Sequence, residues 1–423
     1  MRPFPIFPIF PLLLTVLLLA GCRPETAPDT LTATEIQALT DDELRALADE
    51  LAHKYILVDG HIDVPYRMTN HPEDIANATD GGDFDFPRAR AGGLDAPFMS
   101  IYIPASYQET GGARAFADSL IDMVEGFAAA APTKFAIATS PDDVRRQFEK
   151  GLISLPMGME NGAPIEDDLA NVEHFFRRGI RYITLTHSKN NQIGDSSYDT
   201  EPTWNGLSPF GEQVIDEMNR LGMMIDISHV TDSTAFDVLA RSRAPVIASH
   251  SSCRHFTPGW ERNMGDDLIR ALADHDGVIM INFGSSFLRT EYQAAGNRIQ
   301  QQIIGYLSRN GIDRDSPEGL AYFREQRRAN PVGTVQDVVD HIEHVRQLVG
   351  VDHIGLGSDF DGVFALPDGL QDVSQYPNLI YALLKTGHYS EEDIAKILGG
   401  NVLRVWDQVV ATAREMQEAS SDE

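Results

Sequence analysis

Apolar and polar positions change period repeatedly along this chain. Short apolar runs rich in β-branched residues, at 55–61, 98–103, 153–159, 181–187, 223–229, 245–250, 277–283 and 353–358, read as strands. Between most of them apolar positions recur every three or four residues, which predicts helices over 165–178, 208–221, 231–241, 265–275 and 334–349. Strands alternating with helices predict an α/β fold whose parallel sheet is covered by helices. About eight such units favour a (β/α)8 barrel over an open doubly wound sheet. No G-x-G-x-x-G turn follows the first strand, which weakens the dinucleotide-binding alternative. Ahead of that strand, 34–54 has helical spacing and a Thr40/Glu43 capping box. The stretch 190–207, "NNQIGDSSYDTEPTWNGL", is a long polar loop, and long loops in compact domains are usually functional.

The strand ends break the apolar pattern. "ILVDGHID" closes on His61 and Asp63, "LISLPMGMENG" on Glu160 and "YITLTHSKN" on His187. "MMIDISHV" closes on His229, "PVIASHSS" on His250 and "HIGLGSDFDG" on Asp359 and Asp361. In a barrel these ends share one rim, where the fold builds its active sites. A lone histidine at a strand end is ordinarily structural, but imidazoles and carboxylates gathered at so many ends mark a site. His61 and Asp63 are two positions apart, and such positions in a strand face the same side, so the pair is expected to meet one ion. His53, His71, His174, His275, His341, His344, His353 and His388 fall in helices, loops or strand starts and read as structural. The pair His341/His344 lacks the H-E-x-x-H of zinc proteases, and His255 stays ambiguous.

Imidazoles and carboxylates without a thiolate suit zinc, manganese, iron or cobalt. Three histidines with Asp63 and Glu160 exceed the needs of one catalytic zinc that keeps an open position, and suffice for two metals sharing a carboxylate. Two metals can hold a bridging hydroxide at neutral pH and polarise a carbonyl, which is hydrolase chemistry.

Composition sharpens this little. The chain has 423 residues, 42% of them hydrophobic, ample for a large core. A net charge of −29, from 34 Lys plus Arg against 63 Asp plus Glu, repels phosphate backbones and excludes nucleic acid as a partner. The two cysteines, Cys22 and Cys253, are too few for a disulfide scaffold. The N-terminus adds a location. "MRPFPIFPIFPLLLTVLLLAGC" has a basic start and a short apolar stretch, as in a secretory signal. Its end, Leu19 to Cys22, resembles a bacterial lipobox, which implies cleavage of a signal peptide at 1–21 and lipidation of Cys22. An ordinary signal peptide with an incidental cysteine is the alternative. Residues 22–33 read as a polar tether, 34–415 as one barrel domain and 416–423 as a frayed tail. Arg23 after the cysteine, by the same resemblance, favours the outer membrane of the cell envelope, with the domain facing the periplasm.

Six segments, "VDGHIDVPYRM", "GMENG", "LTHSKNN", "GLSPFGEQVIDEMNRLGMMIDISHV", "SHSSCRHFTPGWERN" and "GLGSDFDG", resemble in order those of the membrane (renal) dipeptidase family of zinc peptidases. The resemblance covers nearly all of 55–405. It implies a (β/α)8 barrel with two Zn2+, His61 and Asp63 binding the first ion, Glu160 bridging, and His229 and His250 binding the second. It implies that His187 polarises the substrate or stabilises the oxyanion, that Arg262 binds the substrate carboxylate or the tetrahedral intermediate, and that Asp359, near the substrate's amino group, shuttles a proton. Arg254 is the rival arginine and Asp361 the rival carboxylate. The implied substrates are dipeptides, L-L and, from the family, L-D, and the family tends to form homodimers. The family's animal members carry disulfides and a C-terminal lipid anchor, and this chain has neither the cysteines nor a hydrophobic tail for them. Two readings stay open beside a dipeptidase: another amidohydrolase, such as a lactonase, deaminase or N-acyl amino acid hydrolase, and a lipoprotein that binds peptides without cleaving them.

Overall fold

The apolar runs become ten strands in the computed structural model, which describes residues 30–314 and 316–421. They are β1 (Leu57–Ile62), β2 (Leu94–Tyr102), β3 (Phe135–Ile137), β4 (Ile153–Leu155) and β5 (Met157–Glu160). The others are β6 (Ile180–Thr184), β7 (Met224–Asp226), β8 (Ile247–Ser251), β9 (Val278–Ile281) and β10 (Ile354–Leu356). Eight of them form one sheet in the order β1-β2-β5-β6-β7-β8-β9-β10, and the pairings are parallel. The ring closes between first and last: Ile62 bridges Phe360, Asp63 N donates to Phe360 O at 2.9 Å, and Asp359 N donates to His61 O at 3.1 Å. The expected (β/α)8 barrel is therefore present. Both faces of its strands are covered, so the strands read as apolar runs and not as alternating ones.

Helices follow where the period changes, at Ala170–Arg177, Pro209–Leu221, Asp232–Arg241, Asp266–Asp274 and Val335–Val349. At the base, the last helix, Asn401–Ser421, plugs the barrel with Trp406, whose ring packs 5.5 Å from that of Phe98. Phe98 in turn lies 5.3 Å from Tyr182. A Cβ on Gly158 would sit 2.0 Å from the Tyr182 ring, so only glycine leaves room for it.

Several boundaries differ from those read off the sequence. The run 153–159 is split at Pro156, and its first half joins β3 in a separate two-stranded sheet. The stretch 34–54 is two helices, Ala33–Gln37 and Asp41–Lys54, because Thr40 takes an extended backbone to cap the second. The tether ends sooner than 33, since Leu31 already exchanges hydrogen bonds with Glu391. The tail does not fray over 416–421: the last helix runs to Ser421, and Gln417 Nε2 ties it to Arg220 O at 2.7 Å. Nothing in the sequence pattern predicts the helices Ser285–Leu288, Thr290–Asn310 and Pro317–Ala329 between β9 and Val335. The signal segment, Cys22 and the start of the tether lie outside the described residues.

Candidate metal centre

β1 carries His61 to the rim, and its orientation is set from behind. Tyr182 Oη donates to Gly60 O at 2.9 Å and lies 2.8 Å from His61 Nδ1. With its one hydrogen directed at the carbonyl, the hydroxyl accepts from Nδ1–H and orients the ring so that Nε2 faces Asp63 and Glu160; burial opposes protonation of this imidazole, but Tyr182, Glu160 and Asp63 raise its pKa well above the ordinary range. His250 on β8 repeats the device. Ser249 Oγ donates to Asp226 Oδ2 at 2.6 Å and lies 2.7 Å from His250 Nδ1. Asp226 also accepts the backbone N–H of Ser228 and of Ser249, at 3.0 and 2.8 Å. The two imidazoles stack with centroids 3.9 Å apart.

Glu160, at the end of β5, stands among the rim histidines. One carboxylate oxygen lies 3.4 Å from His61 Nε2, and the other 3.2, 3.4 and 3.5 Å from Nε2 of His229, His250 and His187. Asp63 Oδ2 is 3.4 Å from His61 Nε2. The reason expected for that pairing is wrong, however: Asp63 lies beyond β1, at the cap of the helix Val64–Asn70 with φ −89° and ψ 30°. A turn brings the two ligands together, not the alternation of a strand. Gly362 makes the approach feasible, since a Cβ there would lie 2.2 Å from Asp63 Oδ2 and 2.4 Å from Asp359 Oδ1.

His229 and Asp359 both have left-handed backbones, φ 71° and 63°, a conformation that costs energy in residues other than glycine and gathers at functional sites. The His229 carbonyl is held by Ser197 N and Oγ, at 2.8 and 3.0 Å, so the long polar loop supports the site directly. Asn282 Nδ2 donates to Asp359 Oδ2 at 2.8 Å. Asp361 is engaged elsewhere, with Arg67 Nε at 3.1 Å and Asp83 N at 2.7 Å. Among the arginines, Arg254 is committed to Asp232 through both Nη atoms at 2.6 Å. Arg262 is buried, with Nη1 on Ser251 Oγ and Nη2 on His250 O, both at 2.8 Å, and with Nε unpaired. Its guanidinium carbon lies over the ring of Phe287, 5.0 Å from the centroid, and Phe287 walls the cavity.

Electrostatics suit a cation. Burial pushes His229 and His250 well below the ordinary imidazole range, so both are neutral lone-pair donors near pH 7. Burial opposes ionisation of Glu160, but His61, His187 and hydrogen bonds to His229 and His250 hold it well below the usual carboxylate range. Burial, then the charge of Asp63, raises Asp359 to about 8. Buried and without a hydrogen-bond partner among the described residues are His61 Nε2, Asp63 Oδ1, His187 Nδ1 and His229 Nδ1. Unpaired polar atoms of this kind cost roughly 1–3 kcal/mol each, a cost that a bound ion removes from those it ligates. Three overlapping groups have ligand atoms within 4.8 Å of one another: His61–Glu160–His250, Glu160–His187–His229 and His61–Asp63–Asp359. Geometry thus unites the five expected ligands and adds His187 and Asp359 as neighbours close enough to bind. The residues fit divalent metal binding.

A cavity of about 450 Å³ opens over the cluster, walled by Tyr66, Tyr102, Tyr198, Trp260 and Phe287. Residues 45–420 match the membrane dipeptidase family (peptidase family M19). The chain belongs to that family. Dipeptidase verJ of Clonostachys rogersoniana is 33% identical over 404 residues, 91% of this chain and 92% of the relative. Dipeptidase aclJ of Aspergillus oryzae is 33% identical over 410 residues, 94% and 86% of the two chains. Among solved structures, the probable dipeptidase PvdM of Pseudomonas aeruginosa superposes with a TM-score of 0.73 at 27% identity, over 88% of this chain and 99% of that one. A metallopeptidase from Rhodobacter sphaeroides, bound to a phosphinate mimic of L-Ala-D-Ala, gives 0.68 at 25% identity, over 84% and 99%. For this membrane dipeptidase family member, sequence reading missed Tyr182, Asp226 and Asn282 behind the rim, and Asp59, whose Oδ1 accepts the N–H of His61 at 2.9 Å and of Ser358 at 3.0 Å. A signal existed: Asp59 and Asp226 are charges inside strands that are otherwise apolar.

Proposed function

We propose that the chain hydrolyses short dipeptides with two divalent metal ions, zinc by the character of the donors, held by His61, Asp63, Glu160, His229 and His250. The observation that carries this reading is the convergence of three ligand imidazoles on one buried carboxylate, with Nε2 to oxygen distances of 3.2–3.4 Å. Metals bound there supply an activated water and Lewis acidity toward the scissile carbonyl.

The chain's own residues do the rest. His187 lines the cavity beside Glu160 and donates to the carbonyl oxygen as it gains negative charge. Asp359 takes the proton of the attacking water at Oδ1 and passes it to the leaving amine, while Asn282 steadies Oδ2. Arg262 pairs the substrate carboxylate with the Nε that Ser251 and His250 leave free. Acceptance of a D residue at the carboxyl-terminal side is supported by the L-Ala-D-Ala mimic on the Rhodobacter sphaeroides relative. The lipobox-like ending at Cys22 supports a position on the envelope, within reach of peptides from wall turnover.

The test is metal analysis and dipeptide hydrolysis by the chain from residue 23 onward, with lactones and N-acyl amino acids as competing substrates. About two metals per chain are expected. Glu160→Ala should lose metal and lower kcat by at least about 1000-fold. Full dipeptidase activity after metal stripping would overturn the reading.

A further inference from the structure

Between β9 and the helix Val335–Val349 the chain takes a detour through two long helices, Thr290–Asn310 and Pro317–Ala329. They form a hairpin in which Tyr306 stacks on Tyr322 at 4.1 Å. Its second helix is latched to the rim: Arg327 Nη2 donates to Asp83 Oδ2 at 2.7 Å, and Asp83 N donates to Asp361 Oδ1 at 2.7 Å. The hairpin is therefore tied to the loop that also carries Asp359.

The first hairpin helix turns one face to the cavity, with Tyr292, Gly296, Asn297 and Gln300 at helical spacing. Across from it stand Val363 and Phe364, shortly after Asp359 in the chain. A Cβ on Gly296 would make ordinary contact with Ala365 Cβ at 3.6 Å, so a side chain can be started at this point of the cavity wall. No side-chain hydrogen bond engages Asn297 or Gln300 among the described residues, which leaves both amides free for a ligand. This wall is uncharged, aromatic and amide-bearing. Of the carboxylates lining the cavity, Asp359 and Asp361 belong to the same loop as Val363 and Phe364 and disfavour an acidic guest, Asp361 being already paired with Arg67.

We propose that the hairpin is the specificity wall for the substrate's amino-terminal residue, selecting large uncharged side chains. The inference rests on the dipeptidase reading, because it is Asp359 that assigns this side of the cavity to the substrate's amino end. The side chain lies between Tyr292, Asn297 and Gln300 on one side and Val363 and Phe364 on the other. Arg262 and Phe287 take the carboxyl-terminal end.

The experiment compares kcat/KM for Gln-Ala, Phe-Ala, Glu-Ala, Ala-Ala and Ala-Gln in the wild type, Gly296→Leu and the double variant Asn297→Ala/Gln300→Ala. The wild type should prefer Gln-Ala and Phe-Ala over Glu-Ala by about tenfold or more. Gly296→Leu should lower the Gln-Ala to Ala-Ala and Phe-Ala to Ala-Ala ratios by about tenfold, and removing the amides should lower the first of these more than the second. The Ala-Gln to Ala-Ala ratio should move by less than about twofold. Each ratio is internal to one preparation, so loss of folded protein cancels, and the double variant carries the test if Gly296→Leu does not fold. Ratios that stay put, or that shift with the carboxyl-terminal residue, overturn the hairpin's role alone. Hydrolysis of no dipeptide by the wild type overturns both this role and the dipeptidase reading.

Discussion

Tyr182 connects two regions that share no chemistry. Its ring belongs to the apolar base with Phe98 and Trp406, and its hydroxyl orients the ring of His61. Tyr182→Phe keeps the packing and removes that partner. Loss of such a hydrogen bond behind a ligand typically costs about 10–100-fold in metal affinity, so chelator competition should register a drop of that size with little change in melting temperature. Unchanged affinity would mean that the hydroxyl does not orient the ligand. The arginines make a second contrast at this scale. Arg262→Lys should raise KM by about tenfold or more, because an ammonium cannot keep both Ser251 and His250 O while meeting a carboxylate. Arg254→Ala should leave KM alone and destabilise by about 1–2 kcal/mol, since its fork serves Asp232. Steady-state kinetics and urea titration separate the two.

At the scale of elements, β1 and β2 are pinned by a buried acid. Asp95 accepts the Leu57 N–H at 3.0 Å, and burial raises its pKa from 3.8 to about 7. The unfolded chain releases this proton near pH 4 and the folded chain near 7, so stability falls as pH rises through that window and the full loss stands above it. Asp95→Asn keeps an acceptor oxygen and cannot ionise. It should gain on the wild type as pH rises from 5 to 8, by up to about 4 kcal/mol across the whole window, read from urea midpoints. A gain equal at both pH values would refute the assignment. The barrel itself was legible because its strands are buried on both faces and its helices on one, which gives each a distinct apolar period. The hairpin was not, because Thr290–Asn310 buries only Ile303 and Leu307, and a helix with so few buried positions leaves no apolar stripe. The imidazoles and carboxylates that converge at the rim were legible as polar breaks at strand ends, whereas the turn that places Asp63 was not. A strand and a helix cap both allow two donors to meet, and H-x-D does not distinguish them.

On the scale of the whole molecule, polar and apolar stability occupy opposite ends of one barrel. The base is held by Trp406, Phe98 and their apolar neighbours. The rim holds His61, Glu160, His229, His250 and Asp359, each on a different strand or the turn after it, with several polar atoms that have no protein partner. An ion pair bound among them would join those five segments and satisfy some of these atoms. Binding to the folded state alone stabilises by about 4 kcal/mol when free metal exceeds its dissociation constant 1000-fold. Chelation should therefore lower the melting temperature by several degrees, with the loosening confined to one end. Hydrogen exchange should rise around 61–64, 160–163, 228–230, 250–252 and 359–362 and stay slow in 401–413 on the plugging helix. An even rise at both ends would mean that rim and base form one cooperative unit, and that the ions stabilise the barrel without organising its mouth. Confinement to the rim would instead assign the mouth's order to the metals, and the apolar plug would by itself be enough to keep the eight-stranded ring closed.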